Sequence, residues 1–280
     1  AAGAGVLSGA QTGLVAIHKA ALSQRAAPAR PQRQNIRRSA VLEAAGGRST
    51  IHEADSKSIL SEQGITITKE VVVDDLEAAA KAAATVGYPV VLKIVSDHVP
   101  HKTERGLVIL NIQNRDELES AWQTLSERLA QAGDVGQARF LVQEMVRGGV
   151  EVFAGILVDP TFGPFVLFGL GGIAIEAMGE YALRALPLRE GDAEAMIAET
   201  RAATMLRGIR GAPAADQEAL ADCIYKLADF AWSHRDHIGG IDINPIKVLP
   251  HGSGYRIVDA LIIPAKDQAA SARSQMRSAV

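Results

Sequence analysis

Three strand-like runs between residues 138 and 168 succeed one another with almost no chain between them. The runs 138–145, 151–158 and 165–168 are rich in apolar residues. Only the short stretch 146–150, with its turn Gly148-Gly149, and Asp159-Pro-Thr-Phe-Gly-Pro164 separate them. A parallel neighbour needs a crossover of about a dozen residues or more, so these runs must pair antiparallel. A simple doubly wound parallel sheet is therefore excluded. Helical patterns surround them: 53–63 ending at Gly64, 75–86 ending at Gly87, then 116–132, 192–204 and 216–233. Further strands are predicted over 65–73, 89–95 and 107–112, which makes the chain a mixed α+β (α/β) protein.

The most specific chemistry lies near the end. Gly240-Ile-Asp-Ile-Asn-Pro-Ile-Lys-Val248 is followed by the turn His251-Gly-Ser-Gly254 and by Ile257-Val-Asp-Ala260. Side chains two apart share a strand face, so Asp242 and Asn244 face one way and Ile241 and Ile243 the other. With the turn centred on Gly252 and Ser253, Asn244 lies opposite Leu261 and Asp259 is its diagonal neighbour at about 7–8 Å. Three oxygen-bearing side chains then converge, the donor set that Mg²⁺ takes alongside phosphates and water. Most Asp-x-Asn triplets bind no metal, and a one-residue slip would turn Asp259 away.

Length and charge set the remaining bounds. A chain of 280 residues suits two units at about 150 each, or one bilobal unit. No apolar run approaches the roughly 18 residues of a membrane span. The single Cys223 excludes an internal disulfide and favours a reducing, cytoplasmic setting. It falls in an apolar helical pattern, where a packed thiol is expected. Residues 1–42 carry six basic residues and no acidic one, and 26–34 is rich in Pro, Ala and Gln. That start fits a transit-like segment or a basic arm. It fits best the last helix of a preceding domain (1–23) followed by a tether (24–48), with 1–50 outside the main domain, 51–265 forming it and 266–280 a tail.

Several other residues are candidates, each with an ordinary alternative. Lys93 ends the buried run Val90-Val-Leu-Lys; an inward lysine must be paired, and a nucleotide phosphate would serve. A water-facing edge lysine fits as well. The loop 96–106 holds His98, His101, Lys102 and Gly106. His101 offers a largely neutral ring nitrogen for nucleophilic attack, but surface histidines also fill polar loops. Glu144, at a strand end before Gly148-Gly149, could present a carboxylate to an adenine or simply face solvent. Gly169-Leu-Gly-Gly172 permits close ligand approach, although it is not a dinucleotide fingerprint. Arg184 could clamp a phosphate or be an ordinary surface arginine.

Taken in order, these segments resemble the ATP-grasp domain of ADP-forming acyl-CoA synthetases, relatives of the succinyl-CoA synthetase β subunit. The words that carry the resemblance run from about His52 to Pro264. They include Lys57-Ser-Ile-Leu-Ser-Glu-Gln-Gly-Ile65, Pro89-Val-Val-Leu-Lys93, His101-Lys-Thr-Glu104, Val142-Gln-Glu-Met145, Gly149-Val-Glu151, Phe168-Gly-Leu-Gly-Gly172, Arg184-Ala-Leu-Pro-Leu188 and Asp242-Ile-Asn-Pro245.

The resemblance implies a bilobal ATP-grasp fold with nucleotide between the lobes, which would meet near 143–149. It implies Lys57 and Lys93 on phosphates, and Glu144 with the backbone of Met145 and Val146 on adenine. Glu151 would lie near the ribose, and Gly171 and Gly172 against the nucleotide. Asn244 and Asp259 would hold Mg²⁺ with Asp242 beside them. His101 would carry a phosphoryl group, with Lys102 and Arg184 assisting. The reaction implied is acid + CoA + ATP giving acyl-CoA + ADP + phosphate, with CoA bound by upstream ligase domains or a separate α subunit, and with neither nucleic acid nor membrane as partner. One departure stands out: the family loop commonly carries a second glycine where this chain has Leu107, and a Cβ there disfavours positive φ. A regulatory nucleotide-sensing module of the kind fused to acetyltransferases, or a carboxylate ligase using a free acyl phosphate, are the alternative functions.

Overall fold

The computed structural model describes residues 39, 42, 50–95, 106–131, 138–171, 181–208 and 213–265. Two antiparallel sheets organise them. The smaller has the order β1-β4-β2-β3, from Glu70–Val73 (β1), Val90–Val95 (β2), Val108–Ile112 (β3) and Arg139–Glu144 (β4). Helices α2 (Leu76–Val86) and α3 (Arg115–Gln131) cover one face. The Asp75 side chain caps α2 by accepting from Ala78 N at 2.7 Å, and Gly87 (φ 93°) closes it. Its buried face is Ala79, Ala82 and Ala83, small enough for close packing against Val90, Leu92 and Val142. The period of two then sends Val91, Lys93, Leu141 and Gln143 to the opposite face, where all are buried although no helix of this layer reaches them.

The larger sheet has the order β10-β8-β5-β6-β7. Its strands are Val150–Asp159 (β5), Gly163–Leu170 (β6), Tyr181–Ala185 (β7), Ile238–Val248 (β8) and Ala260–Pro264 (β10), with Tyr255–Ile257 (β9) pairing β8 beyond β10. Helices α4 (Asp192–Glu199), α5 (Ala202–Leu206) and α6 (Gln217–Ser233) pack on one side. Asp216 caps α6 through Ala219 N (3.2 Å) and also accepts from Gly254 N (2.9 Å). Leu220, Cys223, Ile224, Leu227, Ala228 and Ala231 form the buried stripe of α6. Cys223 is a buried free thiol, and burial pushes it up to about 12. Helix α1 (Glu53–Glu62) packs on β10. No helix of the described residues is long and apolar enough to cross a membrane.

The chain crosses between the sheets twice. The segment 65–69, expected as part of a strand, is instead a connector pinned to β9: Thr68 N donates to Ile257 O and Ile257 N to Thr66 O, each at 3.0 Å. The segment 145–149 returns to the larger sheet. Gly149 has φ +76°, and a Cβ there would meet Val248 O at 2.8 Å, so the turn into β5 requires glycine.

Other expectations change. β7 was not predicted, because Tyr181–Ala185 is short and followed by Pro187. The helix expected over 192–204 breaks after Glu199, where Thr200 turns extended (φ −102°, ψ 160°). The last hairpin has a different register. Its turn centres on His251 and Gly252, with Gly252 at φ +79° and Ser253 N donating to Pro250 O at 2.9 Å. Ala260 pairs Ile243 and Leu261 pairs Asp242, so Asp259 falls opposite Asn244 rather than diagonal to it. The displacement is two residues, which preserves the face of every side chain.

Candidate functional site

The two sheets meet over a buried polar cluster. From α1, Glu53 and Lys57 lie one turn apart, with Lys57 Nζ donating to Glu53 Oε1 at 2.8 Å. Lys93, from the inner face of β2, donates to the same oxygen at 2.8 Å. Lys57 also contacts Glu70 of β1 and donates to the Val258 carbonyl at 3.1 Å. Lys93 donates to that carbonyl at 3.4 Å, and Gln143 Nε2 donates to it at 2.9 Å. Lys57 is 0% exposed, Glu53 2% and Lys93 5%. The inward Lys93 is thus paired, as its burial demands. Burial works against its charge, but Glu53, Asp259 and Glu70 outweigh it and hold the ammonium above the usual lysine range. Gln143 Oε1 is buried without a partner among the described residues, although its amide nitrogen serves Thr68, Glu70 and Val258.

Beside this cluster lies the oxygen-bearing face of β8. Ile241 and Ile243 are buried in the core, and Asp242 and Asn244 are exposed on the other side. β8 carries an extra residue relative to β5 at Asn244-Pro245, because Val152 pairs Ile246 and Ala154 pairs Ile243. Bulges of this kind re-aim side chains next to sites. Asn244 N donates to Asp259 O at 3.2 Å and Val258 N to Pro245 O at 3.0 Å. The wall around Asp242 removes enough water to hold its carboxyl above the ordinary carboxylate range, even though its edge is open. Two carboxylates and an amide oxygen are hard donors that fit Mg²⁺. Among the described residues no three His, Cys, Asp or Glu side chains close into a cage; an ion held by Asp242, Asn244 and Asp259 would take its remaining ligands from phosphate and water oxygens.

A charged row links the two expected nucleotide carboxylates. Glu151 pairs Lys247 across β5 and β8, with Lys247 Nζ 2.7 Å from Glu151 Oε1. Lys247 pairs Arg256 across β8 and β9, and Arg256 Nε lies 3.6 Å from Glu144 Oε1. Glu144 also accepts from Lys69 N at 2.9 Å. Met145 N donates to Pro89 O at 3.1 Å, and Val146 follows, half-buried. Sequence reasoning missed Lys247 and Arg256. The bulge reverses the alternation along β8, so the parity that places Asp242 assigns Lys247 to the wrong side. It also missed Glu53 and Gln143, whose partners lie far along the chain; the Glu53/Lys57 spacing was the one available signal.

Gly171 sits against β5: Gly171 N donates to Glu151 O at 3.0 Å, and a Cβ would lie 3.0 Å from the Glu151 and Val152 backbone. Its glycine therefore serves packing within the chain. Arg184 is not brought to the cleft. Its register runs through Val166 and Ile156 to Ile241, the helix-covered face, opposite to that of Asp242. There it donates to Glu199 Oε1 at 2.5 Å and lies 4.0 Å from Asp192 Oδ1. His101, Lys102 and Gly172 lie outside the described residues. Leu107 has no positive φ, since Asn111 is the only non-glycine described residue that does, and it is buried in the core of the smaller layer.

Residues 42–263 match the ATP-grasp domain family. The β subunit of acetate–CoA ligase [ADP-forming] II of Pyrococcus furiosus is 36% identical over 220 residues, covering 78% of this chain and 93% of that protein. The 4-hydroxybutyrate–CoA ligase [ADP-forming] of Nitrosopumilus maritimus is 32% identical over 216 residues, but this chain spans 31% of its length. Acetyl-coenzyme A synthetase 1 of Ca. Korarchaeum cryptofilum superposes with a TM-score of 0.74 at 36% identity, over 80% of this chain and 96% of that chain. A further structure of it, with coenzyme A and Mg-AMPPCP, has a TM-score of 0.68 and a phosphohistidine segment pointing towards the nucleotide binding site. Two layers meeting over buried lysines and an oxygen-bearing strand, together with these matches across most of the chain, place it in the ATP-grasp domain family of the ADP-forming acyl-CoA synthetases.

Proposed function

We propose that this chain is the ATP-binding, phosphoryl-transferring part of an ADP-forming acyl-CoA synthetase, which converts acid, CoA and ATP reversibly to acyl-CoA, ADP and phosphate. CoA-binding and ligase domains, upstream in the same polypeptide or in a separate α subunit, complete the reaction on a small carboxylic acid. The observation that carries this reading is the convergence of Lys93, from the smaller sheet, with Asn244 and Asp259, from the larger, across one junction. Asp259 acts electrostatically on Lys93, so cation and oxygen donors face one space.

In this reading 51–265 is the nucleotide-binding body. Glu144, with the backbone of Met145 and Val146, takes the adenine, and Glu151 lies towards the ribose. Lys93 neutralises phosphate charge. Asn244, Asp259 and Asp242 would hold Mg²⁺, which supplies further charge neutralisation when bound. His101, aided by Lys102, receives the γ-phosphoryl group: a P–O bond to ADP breaks and an N–P bond forms. Placement and charge then lower the barrier. The single buried thiol of Cys223 suits a cytoplasmic setting.

Incubation with γ-labelled ATP and Mg²⁺, followed by acid and base treatment and peptide mapping, tests this. An acid-labile, base-stable label on the His101 peptide, lost in His101→Ala, is expected. A protein that stays unlabelled when a ligase-domain partner is added with the labelled ATP would sink the reading.

A further inference from the structure

We propose that Glu53 is a positioning residue that aims the Lys93 ammonium at the nucleotide phosphates, and that Lys57 is its buried counter-charge, without nucleotide contact. The proposal rests on the ATP-dependent reading above and assigns roles within that site.

Donor arithmetic separates the two lysines. An ammonium has three N–H groups. Those of Lys57 meet three acceptors, Glu53 Oε1, Glu70 Oε2 and Val258 O, and its side chain is wholly enclosed. A phosphate could reach Lys57 only by displacing one of these enclosed acceptors. Lys93 uses two acceptors, Glu53 Oε1 at 2.8 Å and Val258 O at 3.4 Å. It keeps 7% side-chain exposure, and a third N–H direction remains for a ligand.

Glu53 is what makes that direction definite. A lysine has a flexible four-carbon stem, and its head finds many orientations unless it is tied. One carboxylate oxygen receives both ammonium groups at 2.8 Å. Lys57 in turn holds that carboxylate through the helical spacing of α1 and is itself held by Glu70 from the other layer. The nucleotide would then meet an ammonium already oriented, with little reorganisation left.

The test compares ligands with and without phosphates. Calorimetry with Mg²⁺ would give the affinities of the full chain and of Glu53→Gln, Glu53→Asp and Lys93→Met for ATP and for adenosine. Glu53→Gln is expected to weaken ATP at least about tenfold, the loss of one charge-assisted bond, and to leave adenosine unchanged. Glu53→Asp should recover part of the loss, and Glu53→Gln combined with Lys93→Met should lose little beyond Lys93→Met alone. Equal weakening of both ligands, or unchanged ATP affinity, overturns the proposal. Side-chain ¹⁵N spectra of the unmutated chain, assigned with Lys57→Arg and Lys93→Arg, test it independently of whether Glu53→Gln folds. ATP should move the Lys93 signal and not that of Lys57, and a larger shift at Lys57 overturns it. An unmutated chain that binds neither ligand would instead remove the ATP-dependent reading itself.

Discussion

Asn244 and Asp259 face each other across the last hairpin, joined by a 3.2 Å bond from Asn244 N to the Asp259 carbonyl. That bond is between backbone groups and survives truncation of either side chain. Asp259→Ala should therefore fold normally and lose about a hundredfold in ATP-dependent phosphoryl transfer, the order expected when a key electrostatic group is removed. Labelling with γ-labelled ATP, alongside a thermal melt, checks both halves. Near-normal labelling in a well-folded variant would exclude Asp259 from the ion's ligand set.

Lys57→Met should be a severe stability variant. It leaves Glu70 and half of the Glu53 interaction uncompensated in a buried cluster, and breaking one partner of a buried pair costs about 3–5 kcal/mol. Urea unfolding of Lys57→Met and of Lys57→Met/Glu70→Gln measures this. The double variant should recover much of the loss; a double variant no more stable than the single would show that Glu70 does not depend on Lys57.

Much of the fold was legible in sequence. Turn-bounded apolar runs gave the antiparallel strands, and Gly64 and Gly87 marked helix ends. Period-two alternation put Asp242 and Asn244 opposite Ile241 and Ile243. What could not be read depends on geometry between segments. The hairpin register turns on whether Gly252 takes the first or the second central turn position, and the sequence accommodates both. Arg184 sits in a stretch that looks like a loop, whereas pairing of β7 with β6 turns it to the helix side. The cluster around Glu53 joins residues up to 201 apart, beyond any local pattern.

Leu107→Gly, which restores the glycine of the family pattern, should destabilise the smaller layer. Leu107 is 1% exposed in the core of the smaller layer, and its carbonyl accepts from Ile94 N at 3.0 Å. Deleting a buried leucine side chain costs about 2–5 kcal/mol, with up to about 1 kcal/mol more for glycine. The midpoint of denaturant unfolding should fall accordingly. An unchanged midpoint would place Leu107 outside the core.

Acid sensitivity should trace in part to Asp216. Burial raises its pKa, but the backbone N–H groups of Gly254, Ala219 and Gly252 outweigh it and hold the carboxyl below the usual range. A depressed folded value means stability that is present above the unfolded value, about 3.9, and lost as pH falls through the folded one. Asp216→Ala should cost about 1–2 kcal/mol near neutrality, with the difference from the unmutated chain vanishing in strong acid. A difference that persists at the lowest pH would assign it to packing.

The Val258 carbonyl receives Lys57, Lys93 and Gln143, donors from both layers. It is a main-chain atom, so no replacement of the side chain at 258 removes it. A mutational scan would therefore score position 258 by its valine and overlook the acceptor on which both layers converge. Only a change to the peptide unit itself, such as an ester in place of the following amide, would weaken that oxygen.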